Sequence, residues 1–173
     1  MTSTATILSC GIPLVSERTA QVIEERKRAE KRLDFVEVEL ASAIAKGLVA
    51  EAKETLRDAP AVFKKHLHRT DDSANVLGFL SAISSAFLTV SPSDGSSHLV
   101  LLTSSPLVQT SSSTTVALLF GSDEKKVKEM GDALRNKLGV KGGGKGAKWS
   151  GKFIGTWKET VEGAVVEGLL SEL

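Results

Sequence analysis

"LLFGSDEKKVKEMGDALRNKLGVKGGGKGAKWSGKF", Leu118 to Phe153, is the stretch on which the reading of this chain turns. The run that enters it, "TTVALLFG", is rich in Val and Leu and reads as a strand. "SDEKKVKEMGDALRNKLG" reads as a helix, with Ser122 or Asp123 at its N-cap and Gly139 as its C-terminal stop. Val140 to Phe153 then holds five glycines, four lysines and a tryptophan, with no acid among them. Glycine has the most backbone freedom to lose on folding. A cluster of it implies a sharp bend or a close approach. The lysines point to a negatively charged neighbour.

Working outward, "SHLVLLTS" is a second Leu- and Val-rich strand, and "SSPLVQTSSS" is the polar loop after it. "DDSANVLGFLSAISSAFLTV" reads as an amphipathic helix capped by Asp71 or Asp72, and "AVFKKHLH" as a short strand before it. Downstream, Thr156 and Glu159 have capping-box spacing and open a last helix through "VEGAVVEGLLSEL". Upstream, Ser16 to Arg57 reads as one long helix ended by Pro60. Its apolar stripe is Val22, Ala29, Leu33, Val36, Leu40, Ile44 and Leu48. The rest carries nine Lys or Arg against nine Asp or Glu, which is a solvated surface and not a polyanion patch. A helix of ~40 residues spans ~60 Å. It is expected to fold back as a hairpin near Gly47 or to pair with another chain. The expected fold is α/β: an N-terminal long helical arm (1–59), then a small mixed α/β domain (60–173) with a glycine-rich loop.

The totals bound the function. The chain has 173 residues, 41% apolar and 25% charged, with net charge +1, so any polyanion site must come from local clustering. The single cysteine, Cys10, excludes an internal disulfide framework and fits a reducing compartment. No apolar run approaches the ~20 residues of a membrane span. "MTSTATILSCGIP" lacks the basic start of a signal peptide. A cytoplasmic protein with no membrane partner is expected.

Phosphate motifs fail on the glycine cluster. "GAKWSGKF" has the Walker A glycines and Lys152, but Phe153 stands where the magnesium-binding hydroxyl belongs. Gly142 and Gly144 begin a dinucleotide fingerprint that ends on Ala147 instead of glycine. What remains is a cradle. Gly142, Gly143, Gly144 and Gly146 let N–H groups converge on an anion, while Lys141, Lys145, Lys148 and Lys152 meet successive phosphates. Trp149 would stack on an unpaired base, and Gly151 lies between it and Lys152. The competing reading is a glycine-rich surface turn with solubilising lysines and Trp149 tucked into the core.

The Leu118–Phe153 stretch resembles the end of the DHH-associated domain found at the C-terminus of alanyl-tRNA synthetases and their free-standing editing relatives. The spacing of Lys141 to Gly146 before Trp149 and Gly151-Lys152 looks closest to the eukaryotic free-standing editing proteins. "SCGIPLVSERTAQVIEERKRAEKRL…ELASAIAKGLVAEA" is similar to the helical arm that precedes this domain in both groups. The resemblance implies tRNA binding in the service of translation fidelity. In those proteins hydrolysis of misacylated tRNA belongs to a separate upstream domain, with a zinc site made by an H-x-x-x-H pair and a later Cys/His pair.

Here the three histidines are His66, His68 and His98, and no H-x-x-x-H occurs. His66 and His68 share one strand face and give at most two ligands, where zinc takes three or four. Cys10 has no evident base, and the Asp-His-His signature of DHH phosphoesterases is absent. No catalytic residue, metal site or cofactor is therefore expected. The chain looks like the non-catalytic C-terminal half of an editing-type protein. Its partner would be tRNA or another RNA. The alternative is a dimerisation or protein-interaction module, with Leu33, Val36, Leu40 and Ile44 docking on a second copy or on a separate editing domain. A third possibility, a hydrolase with hidden metal ligands, predicts bound zinc or manganese.

Overall fold

The computed structural model describes residues 4–9, 11–58, 62–73, 75–90 and 97–173; Cys10 and Pro60 lie outside the described residues. A helical turn, α1 (Thr4–Ile7), and a 3-10 turn (Ile12–Leu14) lead into α2 (Val15–Asp58). The expected hairpin is absent: α2 is a single helix that runs through Gly47. Nothing lies within 4 Å of where a Cβ on Gly47 would stand, so no close contact there demands a bend.

The chain divides into two compact units, Met1–Leu40 and Ala41–Leu173. The division between these units falls inside α2. In the first unit the apolar stripe is open to solvent, with Val22, Leu33, Val36 and Leu40 all exposed. Arg26–Glu30 at 2.7 Å and Glu24–Lys27 at 2.9 Å are surface pairs at helical spacing. Each contributes only a few tenths of a kcal/mol, about 0.2–0.5.

The second unit is built on a five-stranded sheet of order β1-β2-β3-β5-β4. Its strands are β1 (Phe63–Thr70), β2 (His98–Ser105), β3 (Thr114–Gly121), β4 (Lys141–Lys145) and β5 (Lys148–Ile154). Between them run α3 (Val76–Val90), from β1 to β2, and α4 (Glu124–Leu138), from β3 to β4; α5 (Ala164–Glu172) follows β5. β1 and β2 are parallel, a pairing that needs a crossover such as α3, and the other pairs are antiparallel.

"LVLL" and "VALLF" are unbroken apolar runs because β2 and β3 are covered on both faces. On one face Val100, Leu102, Leu118 and Phe120 meet Ala41, Ala45, Leu48, Val49 and Ala52 of α2 and Phe79, Leu80, Ile83 and Phe87 of α3. Phe87 and Phe120 meet edge to face at 5.5 Å. On the other face Leu99, Leu101, Ala117 and Leu119 meet Val127, Met130 and Leu134 of α4, Val166, Leu169 and Leu170 of α5, Trp149 and Trp157. The expected α/β class therefore holds, as three layers.

The caps of α4 are those read from the sequence. Asp123 accepts from the Lys125 amide at 2.8 Å, and Gly139 closes the helix with φ of 66°. Two other caps differ. Asn75, not Asp71 or Asp72, accepts from the Gly78 amide at 3.1 Å and caps α3. Asp71 accepts from Ser73 and Asp72 from Leu107, so both are committed to loops. The last helix opens with a π-helical turn, Glu159–Gly163. There the Lys158 amide donates to Glu162, and Glu159 takes the Trp157 indole N–H instead of pairing with Thr156. Among the described residues, no helix is long and apolar enough to cross a membrane.

Candidate functional site: one face of the glycine hairpin

The expected glycine-rich loop is a β-hairpin. Lys141–Lys145 and Lys148–Ile154 pair antiparallel across a two-residue turn of Gly146 and Ala147, with Gly146 at φ of 65°. That positive φ suits glycine at a tight hairpin turn. β4 and β5 run extended side by side, so the glycines lie along a ladder instead of curling into a cradle of converging N–H groups.

Most of the glycines serve the protein's own packing. A Cβ on Gly142 would run into the Ser150 carbonyl oxygen, and one on Gly144 into that of Lys148. These two residues let β4 lie tight against β5. Gly131 on α4 would place a Cβ 2.8 Å from the Trp149 indole, and Gly151 one 2.6 Å from its far edge. Together they make the seat in which Trp149 lies, only 5% exposed. Trp149 therefore cannot stack on a base. Its indole N–H lies beside Gly131 and has no hydrogen-bond partner among the described residues. Gly143 alone in the triplet has nothing within 4 Å of a built Cβ.

The lysines are placed differently. Val116, Leu118 and Phe120 of β3 belong to the face under α2 and α3, and they register with Lys152, Ser150 and Lys148 of β5. β4 continues this register: Lys141 opposite Lys152, Gly143 opposite Ser150, Lys145 opposite Lys148. Strand alternation thus sets all four lysines on one face of the hairpin, as two facing pairs. α4 covers the opposite face of β4 and β5, while on this one α3 packs chiefly on β2 and β3. All four lysines are exposed, and none makes an ion pair among the described residues. Like charges placed directly opposite cost stability. Nothing in the packing of the hairpin requires them.

Two depressions flank the hairpin. A groove of about 190 Å³ on the lysine face is lined by Leu77, Val116, Lys141, Ser150, Gly151 and Lys152. A cleft of about 240 Å³ beside α4 is lined by Lys125, Lys128, Lys148 and Trp149, but also by Glu124. The acid and the self-capped start of α4 make that cleft the weaker anion site.

A second polar cluster lies at the β1 end of the sheet, on the α4–α5 face. His66 Nε2 and His68 Nδ1 both contact Thr103 Oγ1, at 2.8 and 2.9 Å, and His68 Nε2 lies 3.1 Å from Ser105 Oγ. His68 stacks on Trp157 at 5.2 Å. His66 Nδ1 faces Glu159 at 3.6 Å and Glu167 at 3.8 Å. Burial, only partly opposed by Glu159, lowers His66 to about 4, and burial lowers His68 as well. Both are neutral at physiological pH. Among the described residues, no group of three or more His, Cys, Asp and Glu is placed to hold a metal ion.

Sequence reasoning missed the pairing of the lysines and the neighbours Leu77, Val116 and Ser150. The signal was present. "KGGGK-GA-KWSGK" is mirror-symmetric in lysine about a two-residue glycine turn, which is the arrangement that pairs Lys145 with Lys148 and Lys141 with Lys152. No protein-family model matches the chain, and no curated protein matches it.

Proposed function

We propose that this chain is an RNA-binding module, the tRNA-binding accessory part of an alanyl-tRNA editing-type protein, acting in the cytoplasm. The observation that carries the RNA reading is the single exposed face bearing Lys141, Lys145, Lys148 and Lys152 without acidic partners. Phosphate contacts need cations spaced along a surface, and this face supplies four on a chain of net charge +1. The kind of RNA rests on the sequence resemblance. The site residues are the four lysines, with Gly143 and Ser150 as the floor between them; Gly142, Gly144, Gly146 and Gly151 shape the hairpin.

Fluorescence anisotropy with tRNA across a salt series tests this, beside a variant with all four lysines changed to alanine. Binding that weakens steeply with salt, and a slope that flattens in the variant, is the expected result. Unchanged affinity in the variant removes the hairpin from the interface.

A second reading has its own observation. Leu33, Val36 and Leu40 follow one another at helical spacing and are 56%, 55% and 42% exposed. A row of this kind on a helix is a docking stripe for a second helix. Sedimentation equilibrium decides it: a concentration-independent monomer mass removes self-association.

A further inference from the structure

The hairpin face carries charge and no ring. The chain has no tyrosine, and both tryptophans are buried. Phe153, alternating with Lys152 and Ile154, falls on the opposite face and meets Trp157 edge to face at 5.8 Å. Proteins that hold single strands combine cations with aromatic platforms, each stacked base contributing ~1–3 kcal/mol. This face offers no such platform. Double-helical RNA keeps its bases stacked inside and is held through phosphates and 2′-hydroxyls across a wide, shallow groove. Such a surface needs a flat, cationic partner.

The dimensions agree. Lys141 and Lys145 are four residues apart on one strand, which is ~13 Å at strand rise. The facing lysines sit on neighbouring strands ~5 Å apart. Between the two pairs lie Gly143, with open space above it, and Ser150. Two cationic ends with a low centre fit a convex rod and hold no splayed base.

We infer that the Lys141/Lys152 and Lys145/Lys148 pairs seat the backbone of an RNA double helix, without reading its bases. This rests on the RNA reading above and adds the form of the RNA. Four phosphate contacts on a duplex give a salt slope of about −3 to −4 in log–log form.

The test uses the whole chain and two labelled probes: a 16-base-pair RNA hairpin and an unstructured uridine-rich strand of equal length. Anisotropy is followed over a salt series. The hairpin is expected to bind at least tenfold tighter than the strand. Each double variant, Lys141→Ala with Lys152→Ala or Lys145→Ala with Lys148→Ala, is expected to lower its slope by about two. Gly143→Tyr adds the missing ring at an open position. It should weaken the hairpin and raise strand binding about tenfold. Equal or tighter strand binding by the unaltered chain overturns the inference while leaving RNA binding intact. A hairpin slope unmoved in both double variants also overturns it. Failure of both probes at low salt overturns the RNA reading itself. Circular dichroism on each variant separates lost binding from lost folding.

Discussion

The two ends of the sheet treat basic side chains in opposite ways. At the β1 end His66 and His68 are matched to Thr103 and Ser105, covered by Trp157 and held neutral. At the β4 end four lysines stand in facing pairs, exposed and without acidic partners. Basic groups that are desolvated and hydrogen-bonded within the chain serve the fold. Cations set against one another at the surface add nothing to the packing and oppose the pairing of their own strands.

The largest break in that comparison would come from Trp149, which interleaves with the lysines in sequence but faces the core. Trp149→Ala is expected to cost ~3–5 kcal/mol of stability in urea unfolding. A large loss of RNA affinity at unchanged stability would instead make it part of the interface.

The next effect is acid sensitivity at the histidine end. His66 sits at about 4 in the folded chain against an ordinary 6.5. Between these values the unfolded chain binds more protons. Stability from this group is therefore complete above about pH 6.5 and is lost as pH falls toward 4. The loss should reach about 2–3 kcal/mol by pH 4.5. Urea midpoints from pH 7.5 to 4.5, compared with His66→Gln, isolate it; equal slopes in both proteins would refute the assignment.

Smaller still is Gly144→Ala, whose Cβ meets the Lys148 carbonyl. It should cost ~1–3 kcal/mol by prying the strands apart, as overpacking does, whereas Gly143→Ala should stay within ~0.5 kcal/mol. Last come the lysine pairs. Lys145→Ala with Lys148→Ala should leave the melting temperature unchanged or slightly raised, since repulsion across the strands is relieved. A clear drop in melting temperature would assign these lysines to the fold, and the contrast between the two ends would collapse.

Much of this was legible in the sequence where the cause is local. The doubly buried strands announce themselves as apolar runs, and Asp123 and Gly139 as the caps of α4. Asn75 was hidden because Asp71 and Asp72, equally good caps by type, were taken up by loop amides from Ser73 and Leu107. The glycines were read for the wrong partner. A residue that must let something approach looks the same whether that something is a phosphate or the protein's own Trp149. The lysines were recognised by type, but their common face depended on the turn at Gly146 and Ala147, which fixes register.

β4 is also the last strand of the sheet, and along Gly142–Gly144 it carries no side chains. The Gly142 carbonyl already accepts from Arg135 at 3.2 Å, but the rest of the edge is a template on which a further strand can add. Antiparallel pairing of two such edges about Gly143 would bring Lys141 of one copy against Lys145 of the other, and the reverse. With a net charge of only +1, the molecule as a whole does little to repel its neighbours. Lysines at the two ends of β4 set like charges against such a pairing, the device by which exposed strand edges are kept from adding to one another.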